Sequence, residues 1–182
     1  MIDIKLVLAI VSTVLIVVGN IFYLKDLFAG KTKPHIYTWL IWSITQGTAT
    51  AALIFSGGKF AGIGLTVATV LVFLVFLLSF KYGTKDITKS DTATLIVALL
   101  AIGVWIITKD PVISVFIVTA IDVIGYIPTI RKTYKDPSSE STIFWILFFI
   151  SNILIIFASE EYNFSTMTYI VALVILDGIV AV

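Results

Sequence analysis

Aromatic and carboxamide side chains recur at one spacing in two apolar segments of the chain. Trp39, Trp42 and Gln46 stand at positions i, i+3 and i+7, which places them on one face of a helix. The second group, with the same spacing, consists of Trp145, Phe148 and Asn152. A carboxamide in lipid needs hydrogen-bond partners, and aromatic faces provide a wall for a ring. The two faces therefore predict a site for a small, neutral, hydroxyl-bearing ring. The alternative is interfacial aromatic residues, Trp39 above all, with amides that join helices.

Two carboxylates, Asp122 and Asp177, lie inside apolar segments with no basic residue at similar depth. An ionised carboxylate in lipid is costly, and desolvation favours its neutral form. Two interpretations stay open for both acids: proton coupling, or a neutral acid that bonds to a neighbouring helix. Asn20 likewise lines the same cleft or bonds across helices.

The elements that carry these residues are apolar and long. Of the 182 residues, 59% are hydrophobic and 13% charged, and the mean hydropathy is +1.11, far from soluble composition. A spanning helix needs about 20 apolar residues. Seven runs approach that length, residues 6–24, 36–56, 61–80, 92–108, 111–130, 142–159 and 164–182. The sequence predicts an all-α integral membrane protein of seven transmembrane helices, with the first helix retained.

Lysine and arginine set the predicted orientation, because cytoplasmic loops carry their excess. With the N-terminus outside, nine basic residues fall on the inner side: Lys25, Lys31, Lys33, Lys81, Lys85, Lys89, Arg131, Lys132 and Lys135. Three fall outside, Lys5, Lys59 and Lys109, with the acidic pair Glu160 and Glu161. The balance predicts an external N-terminus and a cytoplasmic C-terminus, in the plasma (inner) membrane.

A shift of 106 residues aligns the first segment with the fifth and the second with the sixth. Among the matches are Gly19 with Gly125, Trp39 with Trp145, Trp42 with Phe148, Thr45 with Ser151, Gln46 with Asn152 and Lys25 with Arg131. This predicts two parallel three-helix repeats, 1–80 and 111–182, joined by a linker region, 81–110, that contains the fourth helix (3+1+3). Such repeats enclose a central cleft.

Backbone breakers mark a predicted hinge in the fifth segment. Gly125 and Pro128 lie within one turn, and a proline there removes a helical hydrogen bond and favours a kink. In the first repeat Gly19 is present, but Phe22 stands where the proline would be. The first hinge is predicted to be the weaker one.

Several functions are not indicated. The chain has no cysteine and one histidine, His35, in a polar loop, so we predict no metal site and no cofactor. No basic cluster stands apart from a membrane segment, so no nucleic-acid partner is predicted. No nucleophile with its base, P-loop or zinc motif is recognisable, and we predict no enzyme activity.

Residues 125–141, Gly-Tyr-Ile-Pro-Thr-Ile-Arg-Lys-Thr-Tyr-Lys-Asp-Pro-Ser-Ser-Glu-Ser, resemble the PQ-loop and SWEET (MtN3-like) transporter superfamily. In that family a helix ends in Pro-Gln, and a basic, aromatic and serine-containing loop follows. Here Thr129 replaces the glutamine, and Phe22 with Tyr23 replaces the dipeptide in the first repeat. The resemblance implies a 3+1+3 carrier of alternating access, with Pro128 as a rocking hinge.

The segment from Trp39 to Gln46 is similar to a W-x-x-W-plus-amide motif of PnuC-type vitamin transporters, and Asp177-Gly178 is similar to an Asn-Gly in their last helix. The resemblances together imply a facilitative carrier of a small neutral solute, with a sugar first and nicotinamide riboside second. A receptor like the KDEL receptor and a non-transporting membrane subunit are the alternatives. The expected partners are the solute and the lipid bilayer, and a second copy of the chain in a homo-oligomer stays an open alternative.

Overall fold

The structure, a computed structural model, describes residues 4–55, 59–108, 111–159 and 162–182. These ranges form seven α-helices and one short 3-10 turn (Pro137–Ser139), and no strand. The helices are α1 (Ile4–Phe28), α2 (Ile36–Phe55), α3 (Lys59–Tyr82), α4 (Lys89–Ile107), α5 (Pro111–Lys135), α6 (Thr142–Ala158) and α7 (Phe164–Ala181). The all-helical prediction of seven helices is confirmed. Lys109, Glu160 and Glu161, used for the orientation, lie outside the described residues.

Several helices are longer than the apolar runs that predicted them. α1 continues through Lys25 to Phe28, and α5 continues through Arg131 to Lys135. Both extensions were predicted to be loop. The reason is that hydropathy marks the apolar length only, whereas basic residues are good helix formers that interact favourably with a helix C-terminus.

Three helical stretches are long and apolar enough to cross a membrane: Ile4–Phe28, Lys89–Ile107 and Ile113–Lys135. Large apolar side chains also cover the outer surface of the helices, for example Leu100 (67% exposed) and Ile10 (55%). An apolar surface of this kind is compatible with lipid as its surroundings.

Six of the helices pack as a closed ring in the order α1, α6, α7, α5, α2 and α3, with α3 returning to α1. α4 stands outside the ring and packs on α5 and α2, where Ala98 and Ile102 meet Ile41 and Ile121. We call α1–α3 the first half and α5–α7 the second half. The two halves meet along α1 with α6 and along α2 with α5.

The ring has two chemically different ends. At one end α1, α3, α5 and α7 finish and α2, α4 and α6 begin. We call it the basic end, because the nine Lys and Arg residues of the predicted inner side lie there: Lys25, Lys31, Lys33, Lys81, Lys85, Lys89, Arg131, Lys132 and Lys135. α4 begins there with a capping box, in which Asp91 N–H donates to Thr88 Oγ1 and Thr88 N–H donates to Asp91 Oδ2. The other we call the opposite end.

The two glycines predicted as hinges differ in how closely they are packed. A methyl group on Gly125 would lie 3.1 Å from Trp42 Nε1 and 3.2 Å from Ile41 Cγ2, whereas one on Gly19 would lie 3.4 Å from the Phe148 ring. α2 therefore approaches α5 closely at Gly125. α5 runs as one helix through Pro128, and a rocking motion there stays a prediction.

A matched pair of alanine variants tests this difference. Alanine in a helix interior is favoured over glycine by roughly 0.8–1 kcal/mol, so Gly19→Ala is expected to leave the protein as stable or slightly more stable. Gly125→Ala is expected to be destabilising, because Trp42 and Ile41 have to move. Thermal unfolding of both purified variants measures the difference. Equal melting temperatures would contradict the close approach of α2 and α5.

Candidate functional site

A cavity of about 790 Å³ lies at the centre of the ring. Side chains from all six ring helices line it, and none is Lys, Arg or His among the described residues. Its lining includes every predicted binding residue and both acids: Asn20, Trp39, Trp42, Gln46, Trp145, Phe148, Asn152, Asp122 and Asp177. The structure thus places at one cavity the residues that the sequence singled out on five helices.

Gln46 is a half-buried amide without a hydrogen-bond partner among the described residues. It lines the cavity from α2, and its side chain makes no hydrogen bond to the described residues. An amide in an apolar wall is costly unless its hydrogen bonds are made. Gln46 therefore has both a donor and an acceptor available for a molecule in the cavity.

Asn152, its counterpart on α6, is already bonded. Its Nδ2 donates to Asp177 Oδ2 over 2.8 Å, and Tyr126 Oη donates to Asp177 Oδ1 over 2.6 Å. Asp177 is fully buried (0% exposed) and Asn152 nearly so (8%). Asp177 thus fixes the orientation of the Asn152 amide, and the oxygen of that amide has no partner among the described residues.

Asp122 has a similar arrangement of donors. Its Oδ2 accepts from Tyr169 Oη (2.7 Å). Its Oδ1 lies 3.2 Å from Thr45 Oγ1, whose single hydroxyl proton also has the Ile41 and Trp42 carbonyls as acceptors at 3.2 and 3.3 Å. The two acids are therefore connected reciprocally: α5 supplies Asp122 and Tyr126, and α7 supplies Tyr169 and Asp177. Two Tyr-to-Asp hydrogen bonds join α5 to α7 beside the cavity.

Asn20 lines the cavity, and it makes no hydrogen bond across helices to any residue that the structure describes. Its Nδ2 donates to the Ile16 carbonyl one turn earlier in α1, over 2.9 Å. The structure agrees with the first of the two predicted alternatives, in which Asn20 lines the cleft. The side-chain oxygen of Asn20 makes no hydrogen bond to the described residues.

Aromatic rings close the cavity toward the basic end. Trp39 is 2% exposed and Trp145 is 1% exposed, so Trp39 is not an interfacial residue on the outer surface. Ring centroids are 5.1 Å apart for Tyr23 and Trp39, 4.6 Å for Tyr23 and Phe144, and 4.9 Å for Phe144 and Trp145. These rings come from both halves and form what we call the aromatic floor.

A buried ion pair supports the floor from the basic end. Lys132 Nζ donates to Glu140 Oε1, and Trp145 Nε1 donates to Glu140 Oε2 over 3.0 Å. Lys132 Nζ also donates to the carbonyls of Lys33 (2.6 Å) and Ser139 (3.1 Å). The pair thus joins the loop after α1, the loop after α5 and a ring of the floor.

Further hydrogen bonds hold the same two loops together. Lys33 N–H donates to the Ser139 carbonyl (2.9 Å), and Ser141 Oγ donates to Asp26 Oδ2 (2.5 Å). By contrast, the cavity lining reaches Ser159, at the end of α6, in the direction of the opposite end. The structure is therefore closed at the basic end.

His35 is buried, although the sequence placed it in a polar loop. It is 0% exposed, and its Nε2 lies 3.3 Å from Asp91 Oδ2. Arg131 Nε and Nη2 donate to the same carboxylate over 2.8 and 2.7 Å. Burial lowers the pKa of His35 to about 4, against the opposite effect of Asp91. His35 is therefore neutral near pH 7, and no group of possible metal ligands occurs among the described residues.

Sequence reasoning missed three residues that bond the acids: Thr45, Tyr126 and Tyr169. Two of them carried a usable signal. Tyr126 is four residues after Asp122 and Tyr169 is eight before Asp177, so each lies on the helix face of an acid. Lys132 and Glu140 are only eight residues apart, but nothing in the sequence signalled that they are buried, because the loop after α1 supplies a partner for Lys132 at Lys33.

Comparison of the chain with protein-family models, with curated proteins and with solved structures gives no match. The function is therefore argued from the cavity, its lining and the packing of the helices.

Proposed function

We propose that the chain is an integral membrane carrier that moves a small neutral polar solute by alternating access, with a sugar as the first candidate. The observation that carries the proposal is the central cavity, closed at one end by the aromatic floor. Its volume of about 790 Å³ is in the range of small-molecule sites, about 300–1,000 Å³. Aromatic rings and amides in its wall suit the faces and hydroxyl groups of a small ring.

The packing of the helices supports two three-helix repeats with a linker helix. Exchanging α1, α2 and α3 with α5, α6 and α7 converts the contact of α1 with α6 into that of α5 with α2. The same exchange converts the contacts of α3 with α2 and α1 into those of α7 with α6 and α5. The closed ring is unchanged by this exchange, as expected of duplicated halves that rock against each other around a central site.

We propose that the basic end faces the cytoplasm, with the N-terminus outside, in the plasma (inner) membrane. The support is the count of nine Lys and Arg residues at that end against three that the sequence assigns to the other side, an imbalance that is typical of cytoplasmic loops. In this orientation the structure corresponds to a carrier closed toward the cytoplasm.

A vitamin precursor such as nicotinamide riboside is the second candidate solute. The observation in its favour is the aromatic content of the cavity wall, to which Trp39, Trp42, Tyr126 and Trp145 all contribute. Flat faces of this kind stack on a planar heterocycle. A receptor that recognises a charged peptide end is less well supported, since no basic side chain is found in the described lining. A purely structural subunit would not need an open cavity.

Ligand-dependent thermal unfolding tests the proposal first. The purified protein is heated with sugars, nicotinamide riboside, thiamine or amino acids, each at high concentration. A ligand at 100 times its dissociation constant stabilises the protein by about 2.7 kcal/mol, and the solute that does so is then tested for uptake into proteoliposomes. Uptake of a stabilising solute is the expected result. Stabilisation without uptake would favour a receptor, and no response to any solute would overturn the carrier proposal.

A further inference from the structure

We propose that Asp122 takes up a proton during the transport cycle and that Asp177 does not. The inference rests on the proposed carrier function, and it names the ion that moves with the solute. It comes from the different positions of the two acids relative to the two halves of the ring.

Asp122 bridges the two halves. It belongs to α5 in the second half, and its hydrogen-bond donor Thr45 belongs to α2 in the first half. Its other donor, Tyr169, belongs to α7 in the second half. The carboxylate lines the cavity and is 6% exposed. Any motion of one half against the other changes the distance from Asp122 to Thr45.

Asp177 is bonded within one half. Asp177, Tyr126 and Asn152 belong to α7, α5 and α6, all in the second half. Asp177 is also completely shielded, with 0% of its surface exposed. A second half that moves as a body keeps all three residues together, so these hydrogen bonds are the same in both states of the carrier. Asp177 therefore acts as a positioning residue for the Asn152 amide.

No fixed positive charge competes for the Asp122 carboxylate. Of the described groups that face it, α2 contributes the Thr45 hydroxyl and α7 contributes Tyr169. α4 presents apolar side chains to α5, such as Ala98. The other titratable groups in the described cavity lining are Asp177 and Tyr126. Among the described residues, no cationic side chain can balance the charge of Asp122, so a proton is what neutralises it.

Loss of a hydrogen-bond donor makes a carboxylate bind a proton more tightly. Separation of the halves at Thr45 changes both the hydrogen bonds and the hydration of Asp122, so the two states bind its proton with different affinities. By linkage, a bound proton favours the state that holds it more tightly. The proton comes from water on one side, adds to a carboxylate oxygen to give the acid, and returns to water on the other side. One positive charge thus moves with each neutral solute.

Spin-label distance measurements test this without a known solute. The chain has no cysteine, so labels attach only at Ala29→Cys, after α1, and Tyr134→Cys, on α5, both exposed. These sites report the separation of the halves at the basic end. Between about pH 8 and about pH 5, in lipid nanodiscs, the labelled protein is expected to shift its population from one distance to another. His35 titrates at about 4, below this window.

Three variants in the labelled background identify the group. Asp122→Asn is expected to abolish the response to pH, whereas Asp177→Asn is expected to retain it. Thr45→Val keeps the carboxylate but removes the hydroxyl that meets it across the two halves, so the midpoint of its response to pH is expected to shift from that of the parent. The proposal is overturned by a parent population that does not respond to pH, by a response that remains in Asp122→Asn, or by a Thr45→Val response that coincides with that of the parent.

The carrier proposal and the proton proposal fail differently. If a solute is transported but the label distances do not respond to pH, the carrier proposal is kept and the proton proposal is overturned. A response that depends on Asp122, with no flux of any solute in proteoliposomes, would keep the proton-linked motion and overturn the carrier.

Discussion

Gln46→Leu is expected to abolish solute binding and to leave the stability of the protein close to that of the parent. Gln46 lines the cavity and makes no hydrogen bond to the described residues, so its replacement breaks no hydrogen bond among them. Leucine has a similar size and cannot hydrogen-bond a solute. A site that has lost a hydrogen-bonding group binds a hydroxyl-bearing ligand more weakly by about 1–3 kcal/mol for each bond lost. The solute-induced shift in melting temperature measures the loss.

Asn152→Leu is the matched comparison at the equivalent position of the second half. This variant also removes a hydrogen bond from buried Asp177, so it is expected to lose stability as well as binding. Binding by Gln46→Leu equal to that of the parent would remove the amide from the proposed site. A normal melting temperature for Asn152→Leu would instead contradict the role of Asp177 as its anchor.

Lys132→Met is expected to be the most destabilising single change at the basic end. It leaves the Glu140 carboxylate buried with Trp145 as its remaining donor, because the side chains of the pair are only 4% and 2% exposed. Breaking a buried ion pair by removing one partner costs about 3–5 kcal/mol. The aromatic floor loses support at the same time, since Glu140 holds the Trp145 indole. Thermal unfolding of the purified variant measures the cost.

The control is a double variant in which both charges are absent. Lys132→Met combined with Glu140→Gln leaves no unpaired charge, and glutamine still offers an oxygen to the Trp145 indole. The double variant is expected to be more stable than Lys132→Met alone, with a coupling energy of about 0.5–3 kcal/mol for residues in contact. Additive effects of the two substitutions would mean that the pair contributes little to the closed end.

The sequence alone identified the two residues of these predictions, Gln46 and Lys132, to different degrees. Gln46 was recognisable from sequence because a carboxamide is out of place in an apolar run and its spacing to Trp39 and Trp42 repeats 106 residues later. Lys132 was recognised only as one of several inner charges. Its burial depends on the meeting of the loops after α1 and α5, which are distant in the chain. Loop packing of this kind has no local signal.

The acids show the same limit. That Asp122 and Asp177 needed partners followed from the cost of a carboxylate in an apolar segment. Which partners they have did not follow, because hydrogen bonds between helices depend on the rotation and height of each helix in the ring. The structure gives the two acids different partners, Thr45 in the first half for Asp122 and Asn152 in the second half for Asp177.

The sequence by itself determined the seven helices, their approximate bounds and nine of the residues that line the cavity. These depend on local quantities, namely apolar length, the 3.6-residue period and the cost of polar groups in apolar runs. Only the tertiary structure decided the ring order, the closed basic end, the burial of His35 and the different positions of the two acids. Those features arise from contacts between segments far apart in the chain, and the hydropathy of one segment does not specify the neighbour on which it packs.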